Sequence, residues 1–228
     1  MLVISFMTKK GGAGKSTLAF STAVAAKQAG ESVALLDLDS QGSTSFWAEA
    51  RKRTDIYVES LSAWHLTKRI EELAASGFTL CVLDTPGSDD DAELAIAASD
   101  LCLIPARPNV FDLRAGEATR RLIVGEGKTG VFLLNQCPPA QQSARVQEGA
   151  KALEEAGVLI APMISARVDF QDAARAGLGV TEIAPSGHAA QEIRELWTSI
   201  LQIARPEQWA PSAPGDETPA TVEFSEAA

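Results

Sequence analysis

The sequence has few of the residues that mark secreted, metal-bound or membrane-spanning proteins. It contains only three cysteines, two histidines and one tyrosine among 228 residues. The cysteines are far apart and form no C-x-x-C pair, which favours buried free thiols over disulfides or metal ligands and suits a reducing compartment. No uninterrupted apolar run approaches the roughly 18 residues of a membrane-spanning helix, and the N-terminus places its apolar residues before its lysines, unlike a secretory signal. We therefore expect a cytoplasmic protein.

Positive charge is missing from the last part of the chain. The formal net charge is -10, and no lysine or arginine follows Arg205. Such a balance argues against general attraction to nucleic acid or anionic lipid, although the body of the chain is only mildly acidic and is compatible with a local basic patch. Proline, alanine, serine and acid dominate residues 206–228, which predicts a disordered acidic tail after one domain at residues 1–205.

Short apolar runs alternate with longer helical segments. The apolar runs predict strands buried on both faces, at 2–7, 32–38, 79–84, 100–106, 130–136 and 158–164. Helical composition or period predicts helices at 16–29, 44–52, 63–75, 90–98, 113–125, 140–156 and 189–203. This order indicates an α/β fold, in which a single domain has a mostly parallel twisted sheet with helices on both faces.

The first predicted strand leads into a loop that matches part of a phosphate-binding motif. Gly14, Lys15 and Ser16 supply the second half of G-x-x-x-x-G-K-[ST], but Lys9 stands where the first glycine belongs. Glycines let backbone N–H groups approach phosphate oxygens, and the following helix adds its positive end. Lys15 would reach the β and γ phosphates, and the Ser16 hydroxyl would ligate Mg²⁺. The nucleotide-binding residues predicted here are Gly11, Gly12, Ala13, Gly14, Lys15, Ser16 and Thr17.

Carboxylates end two further predicted strands. Asp84 closes the run TLCVLD, and in LLDLDSQGS a predicted strand ends with two carboxylates, Asp37 and Asp39. Ligands of parallel α/β sheets bind at the carboxyl ends of the strands, so all three loops should form one site. Acids beside a bound triphosphate would repel it unless a cation lies between them. The three carboxylates therefore predict Mg²⁺, held with the help of Asp84 and of the pair Asp37 and Asp39.

Five segments together resemble the deviant Walker A family of ATPases, a group of P-loop NTPases, and in particular the ParA-type partition ATPases. The match runs in order from residue 1 to about 204. The segments that carry it are KGGAGKST at 10–17, LLDLDSQGS at 35–43, LDTPG at 83–87, SDLCLIPARPNVFDL at 99–113 and SARVDFQDAARAG at 165–177. The resemblance implies ATP and Mg²⁺ as ligands and an ATP-bound homodimer in which Lys10 reaches the partner's nucleotide.

The same resemblance implies roles for other residues. Asp39 would position the hydrolytic water, Asp37 and Asp84 would serve the metal shell, and Asn135 would read the adenine edge. Two positions depart from the family's pattern, because Ser40 stands where proline is usual and Gln136 where arginine is frequent.

ParA-type ATPases bind DNA without sequence preference as the ATP dimer, and a ParB-like or other cargo-adaptor protein stimulates slow hydrolysis. By resemblance Arg167 matches a DNA-contacting arginine and the chain would associate with the nucleoid. The acidic tail argues against a membrane partner. Further candidates for the DNA-binding face are Arg145, Lys151, Arg175 and Arg194.

Two functions therefore stay open. One is an ATPase that positions or segregates a plasmid, a chromosome locus or a protein assembly. The other is a metabolic enzyme of the dethiobiotin synthetase type, which uses a related phosphate loop to activate a carboxylate. Lys10 favours the first.

Overall fold

The computed structural model describes residues 1–87, 91–139 and 143–208. Its centre is a six-stranded sheet with the order β3-β2-β4-β1-β5-β6, and every adjacent pair is parallel. The predicted α/β fold with a parallel sheet is thus confirmed. The strands are β1 (Leu2–Phe6), β2 (Val33–Asp37), β3 (Tyr57–Ser60), β4 (Leu80–Asp84), β5 (Leu101–Ala106) and β6 (Thr129–Leu134).

Helices cover both faces of this sheet. They are α1 (Lys15–Gln28), α2 (Ser43–Ala50), α3 (Leu66–Ala75), α4 (Ala92–Ala98), α5 (Val110–Gly125), α6 (Ala144–Ala156), α7 (Asp169–Arg175), α8 (Val180–Ile183) and α9 (His188–Ala204). Short 3-10 helices occupy Ala63–His65 and Pro206–Gln208. None of the helices in the described ranges is long and apolar enough to cross a membrane.

Each strand sends alternate side chains into two separate cores, because successive residues of a strand point to opposite faces. In β1, Ile4 and Phe6 pack with α1, α2 and α7–α9, whereas Val3 packs with α3–α6 on the other face. Both faces are covered, which explains why the strands read as continuous apolar runs rather than as alternating ones.

One predicted strand is wrong, and one observed strand was missed. Residues 158–164 form no strand; they follow β6 through a single bridge at Leu159 and backbone hydrogen bonds such as Ile160 N to Phe132 O at 2.8 Å. Pro162 lies inside this segment and has no N–H to donate, which prevents a continuous ladder. The edge strand β3 was not predicted, since its four residues YVES are only half-buried and carry no apolar run.

The predicted helix positions are confirmed with small shifts of the described ends, and α7 and α8 are additional. The predicted starts at residues 90 and 140 lie outside the described residues. The glycines between α7 and α8 allow a close junction with earlier helices. Gly177 has φ +65°, and a Cβ there would collide with the backbone of Ala50 and Arg51 at the end of α2. A Cβ on Gly179 would lie 2.8 Å from Cβ of Val24 in α1. Both contacts require glycine.

The three cysteines are buried and free. Cys81 lies in β4 and Cys102 in β5, whereas Cys137 follows β6. Burial raises the pKa of the Cys81 thiol to about 12 and that of Cys137 to about 11, which makes both unreactive. The domain boundary at residue 205 stays a prediction, and the predicted disordered tail falls, from residue 209 onward, outside the described residues.

Candidate nucleotide site

The loops after β1, β2 and β4 meet at one edge of the sheet. Parallel pairing sets Phe6 opposite Asp84 and Asp37 opposite Asp84, so the three strands end at the same level. The first helical residues after β1 and β2 are Lys15 and Ser43. This convergence is the one that the order of elements predicts for a parallel sheet.

The loop between β1 and α1 has the backbone shape of an anion cradle. Gly12 and Gly14 have φ values of +76° and +91°, which L-residues with side chains rarely adopt. A Cβ on Gly14 would also collide with the side-chain amide of Asn135. The loop ends at the N-terminus of α1, where unpaired N–H groups and the helix dipole favour negative charge.

The two lysines predicted to act on the nucleotide occupy different environments. Lys15 is only 8% exposed, and its Nζ lies 4.0 Å from the position that a Cβ on Gly87 would take. Its amine is therefore held between the phosphate loop and the loop after β4. Lys10, in contrast, is exposed.

Asp84 lies at the end of β4 with no solvent exposure. Its Oδ2 accepts a hydrogen bond of 2.7 Å from the Thr44 hydroxyl, whereas its Oδ1 is buried without a partner among the described residues. Burial raises the pKa of Asp84 to about 6, with Asp37 adding to the rise and Thr44, Ser16 and Lys15 opposing it. An unpaired buried carboxylate oxygen beside the Ser16 hydroxyl fits a hard cation such as Mg²⁺.

β2 ends at Asp37, and Asp39 lies in the loop between β2 and α2. The Asp37 carboxylate accepts from the Asp39 N–H at 3.1 Å and from both N–H and hydroxyl of Ser45 at 2.8 Å. It therefore fixes the start of α2. Asp39 is partly exposed, and its Oδ1 accepts from the Gln41 N–H at 2.9 Å. The metal role predicted for Asp37 and the catalytic role of Asp39 stay predictions.

Asn135 and Gln136 contact the phosphate loop from the far side. The Asn135 amide donates to the carbonyl of Ala13 at 2.7 Å, and the Gln136 amide donates to the carbonyl of Gly12 at 2.9 Å. The adenine contact predicted for Asn135 stays a prediction. The amide nitrogen of this residue already donates to the phosphate loop.

Two cavities flank the phosphate loop, and Gly14 and Thr17 line both. The first, of about 660 Å³, has Gly11, Lys15, Asp39 and Gly87 in its wall. The second, of about 510 Å³, is bounded by two polypeptide segments, 135–136 and 165–174. The larger cavity thus lies beside Asp39 and the lysine of the phosphate loop, and the smaller one lies beside α7 and the segment that follows β6.

The five cationic residues predicted for DNA are spread over several elements. Arg145 and Lys151 lie on α6, Arg175 on α7 and Arg194 on α9. Arg167 precedes α7, lines the cavity of about 510 Å³, and forms an ion pair of 3.2 Å with the buried Glu192. Arg175 is 81% exposed and lines the larger cavity. A DNA-binding role for these residues stays a prediction.

Sequence reasoning missed the side chains that hold these loops. Thr44 donates to Asp84, Ser45 donates to Asp37, and Gln136 donates to the phosphate loop. None of the three was assigned a role from the sequence. The one available signal for Thr44 and Ser45 is their position directly after the turn of the second loop.

A family model describing the CobQ/CobB/MinD/ParA nucleotide binding domain matches residues 4–180. The maintenance of carboxysome distribution protein A of Gloeobacter kilaueensis is 34% identical over 160 residues, which are 68% of this chain and 72% of that protein.

Two solved structures share the fold. The septum site-determining protein MinD of Pyrococcus horikoshii, complexed with Mg-ADP, superposes with a TM-score of 0.75 over 90% of this chain and 98% of its own, at 17% identity. A variant of Cyanothece McdA complexed with ATP gives a TM-score of 0.67 over 90% and 96%, also at 17% identity. Those ligands agree with the ATP and Mg²⁺ expected from the sequence. Because the family model spans more than half of the chain, this protein belongs to the CobQ/CobB/MinD/ParA family of nucleotide-binding domains.

Proposed function

We propose that this chain is an ATPase that pairs two copies of itself around ATP, binds nonspecific DNA as that dimer, and thereby positions or segregates a cargo. The observation that carries the proposal is the cavity in which the phosphate loop, Asp39 and Gly87 meet, with Lys10 exposed on the same loop. The relative from Gloeobacter kilaueensis is named for carboxysome distribution, which favours positioning over the carboxylate-activating alternative.

The residues present fit a magnesium nucleotide. Residues 11–17 would hold the phosphates, with Lys15 as the buried cation and Asn135 near the base. Ser16, Asp37 and Asp84 would hold Mg²⁺, and the partnerless Oδ1 of Asp84 supports this assignment. When bound, Mg²⁺ neutralises charge between the triphosphate and these carboxylates. Asp39 would orient the attacking water.

The homodimer rests on Lys10. A flexible amine that is exposed beside its own phosphate loop can approach the triphosphate of a second copy, so that nucleotide binding and pairing depend on each other. Slow hydrolysis, stimulated by a ParB-like or other cargo-adaptor protein, would then separate the two copies.

DNA binding rests on the cationic residues of α6, α7 and α9 together with Arg167. Phosphate contacts of this kind carry no sequence information and weaken strongly with salt. The ATP dimer would present two copies of the set, and the protein would then associate with the nucleoid.

Size-exclusion chromatography and DNA retention test the proposal. With ATP and Mg²⁺ the wild type should shift from monomer to dimer and should retain random duplex DNA at low salt. Lys10→Ala should do neither, whereas Lys27→Ala, an equal charge change in the last turn of α1, should behave as wild type. A wild type that stays monomeric with ATP, or that consumes ATP only when a small carboxylic acid is added, would contradict the proposal.

A further inference from the structure

Gln136 has an unusual backbone conformation. Among the described residues other than glycine, it alone has a positive φ, at 52°. Long side chains are rare in this left-handed region, and residues held there against their preference often serve a site. The neighbours of Gln136 are fixed on both sides, because Asn135 N donates to Ala106 O at 2.9 Å and Cys137 N donates to Ile164 O at 3.0 Å. The bend is therefore confined to Gln136.

This bend brings two consecutive side chains to the same side of the chain. In an extended strand, the side chains of residues 135 and 136 would point to opposite faces. Here both amides reach the phosphate loop, where Asn135 Nδ2 binds the Ala13 carbonyl and Gln136 Nε2 binds the Gly12 carbonyl. A Cβ on Gly14 would also lie 3.4 Å from Gln136 Nε2, so the amide packs directly on the loop.

Holding these carbonyls determines where the loop's N–H groups point. The carbonyl of Gly12 and the N–H of Ala13 belong to one planar trans peptide, in which the two bonds point in opposite directions. The Gln136 amide thus turns the Ala13 N–H away from itself. The Asn135 amide does the same for the Gly14 N–H through the carbonyl of Ala13. These N–H groups are the donors that a glycine-rich loop offers to phosphate.

We propose that Gln136 is a positioning residue of the phosphate loop, which acts through the Gly12 carbonyl to aim the Ala13 N–H at a bound phosphate. The assignment rests on the proposed nucleotide binding. The competing role is direct recognition of the base, because Gln136 also lines the cavity of about 510 Å³. The two roles differ in their dependence on the base, since positioning the loop affects every nucleotide alike.

Titration of Mg-ADP and Mg-GDP into Gln136→Met tests the assignment. Methionine has a similar length and no donor, so both dissociation constants should rise by about three- to tenfold, the usual loss for one hydrogen bond, with their ratio unchanged. Gln136→Lys restores a donor and should recover most of the affinity. Gln28 is exposed at the end of α1 and lines neither cavity beside the phosphate loop, so Gln28→Met should bind as wild type. Gln28→Lys controls for the added charge.

Gln136→Gly separates binding from folding. Glycine accepts a positive φ, so this variant should melt no lower than wild type while losing the same affinity as Gln136→Met. Equal Mg-ADP binding by wild type and Gln136→Met, or a loss confined to one base, would overturn the assignment alone. A wild type that binds no Mg-nucleotide would overturn the proposed function and this assignment with it.

Discussion

Asp84 is buried in a way that is unfavourable for folding, and it is also a residue proposed to hold Mg²⁺. Its carboxylate is fully buried, one oxygen has no partner among the described residues, and burial raises its pKa. A buried charge without full compensation destabilises a protein. Natural chains keep such a group where a ligand compensates it.

We therefore expect Asp84→Asn to separate stability from binding. In EDTA the variant should melt at or above the wild-type temperature, because the buried charge is gone. Addition of Mg-ADP should raise the melting temperature of wild type but not that of the variant. Differential scanning calorimetry measures both. A variant that melts well below wild type in EDTA and still gains stability from Mg-ADP would contradict the metal role.

Gly177 occupies a position at which only glycine fits. Gly177→Ala adds a Cβ that collides with the end of α2 in addition to the cost of φ +65°. Gly127→Ala provides a matched control, because φ is +70° there and no atom of the described residues lies within 4 Å of the added Cβ. Urea unfolding should show a loss of about 1 kcal/mol at Gly127 and clearly more at Gly177. Equal losses would mean that backbone conformation alone requires glycine.

At the scale of elements, Arg51 joins α2 to α8. Its guanidinium donates to the Gly177 carbonyl at 3.0 Å and pairs with Glu182 at 2.8 Å and Asp55 at 2.9 Å. It also stacks over Trp47 with 5.1 Å to the ring centroid. Arg51 thereby connects α2, which carries Thr44 and Ser45, to the segment that follows α7. The same side chain stabilises the position of α2 beside the buried acids and the position of α7 beside the cavities.

Removing Arg51 should be severe. The side chains of Arg51 and Glu182 are 2% and 10% exposed, and deleting one partner of a buried pair costs about 3–5 kcal/mol. Arg53 pairs with the same carboxylate but is 56% exposed, so Arg53→Met should cost less than about 1 kcal/mol. Chemical denaturation of Arg51→Met and Arg53→Met compares the two. Similar losses of stability in the two variants would show that the burial of the Arg51–Glu182 ion pair adds nothing to its contribution.

The ion pairs of Arg51 should also make the free energy of unfolding depend on pH. Burial acts to raise the pKa of Glu182, but hydrogen bonds from Arg51 and the Gly179 N–H lower it overall, and Arg51 lowers the pKa of Asp55. Folded-state values below the unfolded ones stabilise the protein above about pH 4.5, and this contribution is lost as pH falls through the folded values. Stability should therefore fall more steeply for wild type than for Arg51→Met between about pH 5 and pH 3. Parallel curves in urea titrations would exclude the effect.

At the scale of the whole molecule, the site lies where both layers of helices meet the sheet's edge, so a ligand there should stabilise the entire fold. Mg-ADP at 100 times its dissociation constant should add about 2.7 kcal/mol, or roughly 5–10 °C in melting temperature for a domain of this size. EDTA should remove most of this gain. A gain that is unaffected by EDTA would show binding without the metal.

Much of the architecture follows from the sequence because it rests on local signals. Apolar runs buried on both faces, such as LCVLD at Leu80–Asp84, predict parallel strands, and the glycines and Lys15 predict the phosphate loop. The failures occurred where local signals were weak or misleading. The edge strand Tyr57–Ser60 has no apolar run, and the apolar segment 158–164 contains a proline that breaks the ladder.

The sequence alone determined the parallel α/β fold, the three loops at one edge and the residue types that can hold a magnesium nucleotide, because chain order and periodicity carry that information. Only the tertiary structure decided which side chains support those loops. Gln136 reaches Gly12 across 124 positions and Arg51 reaches Glu182 across 131. Contacts over such separations depend on how the helices pack against the sheet, and no local pattern in the sequence records that packing.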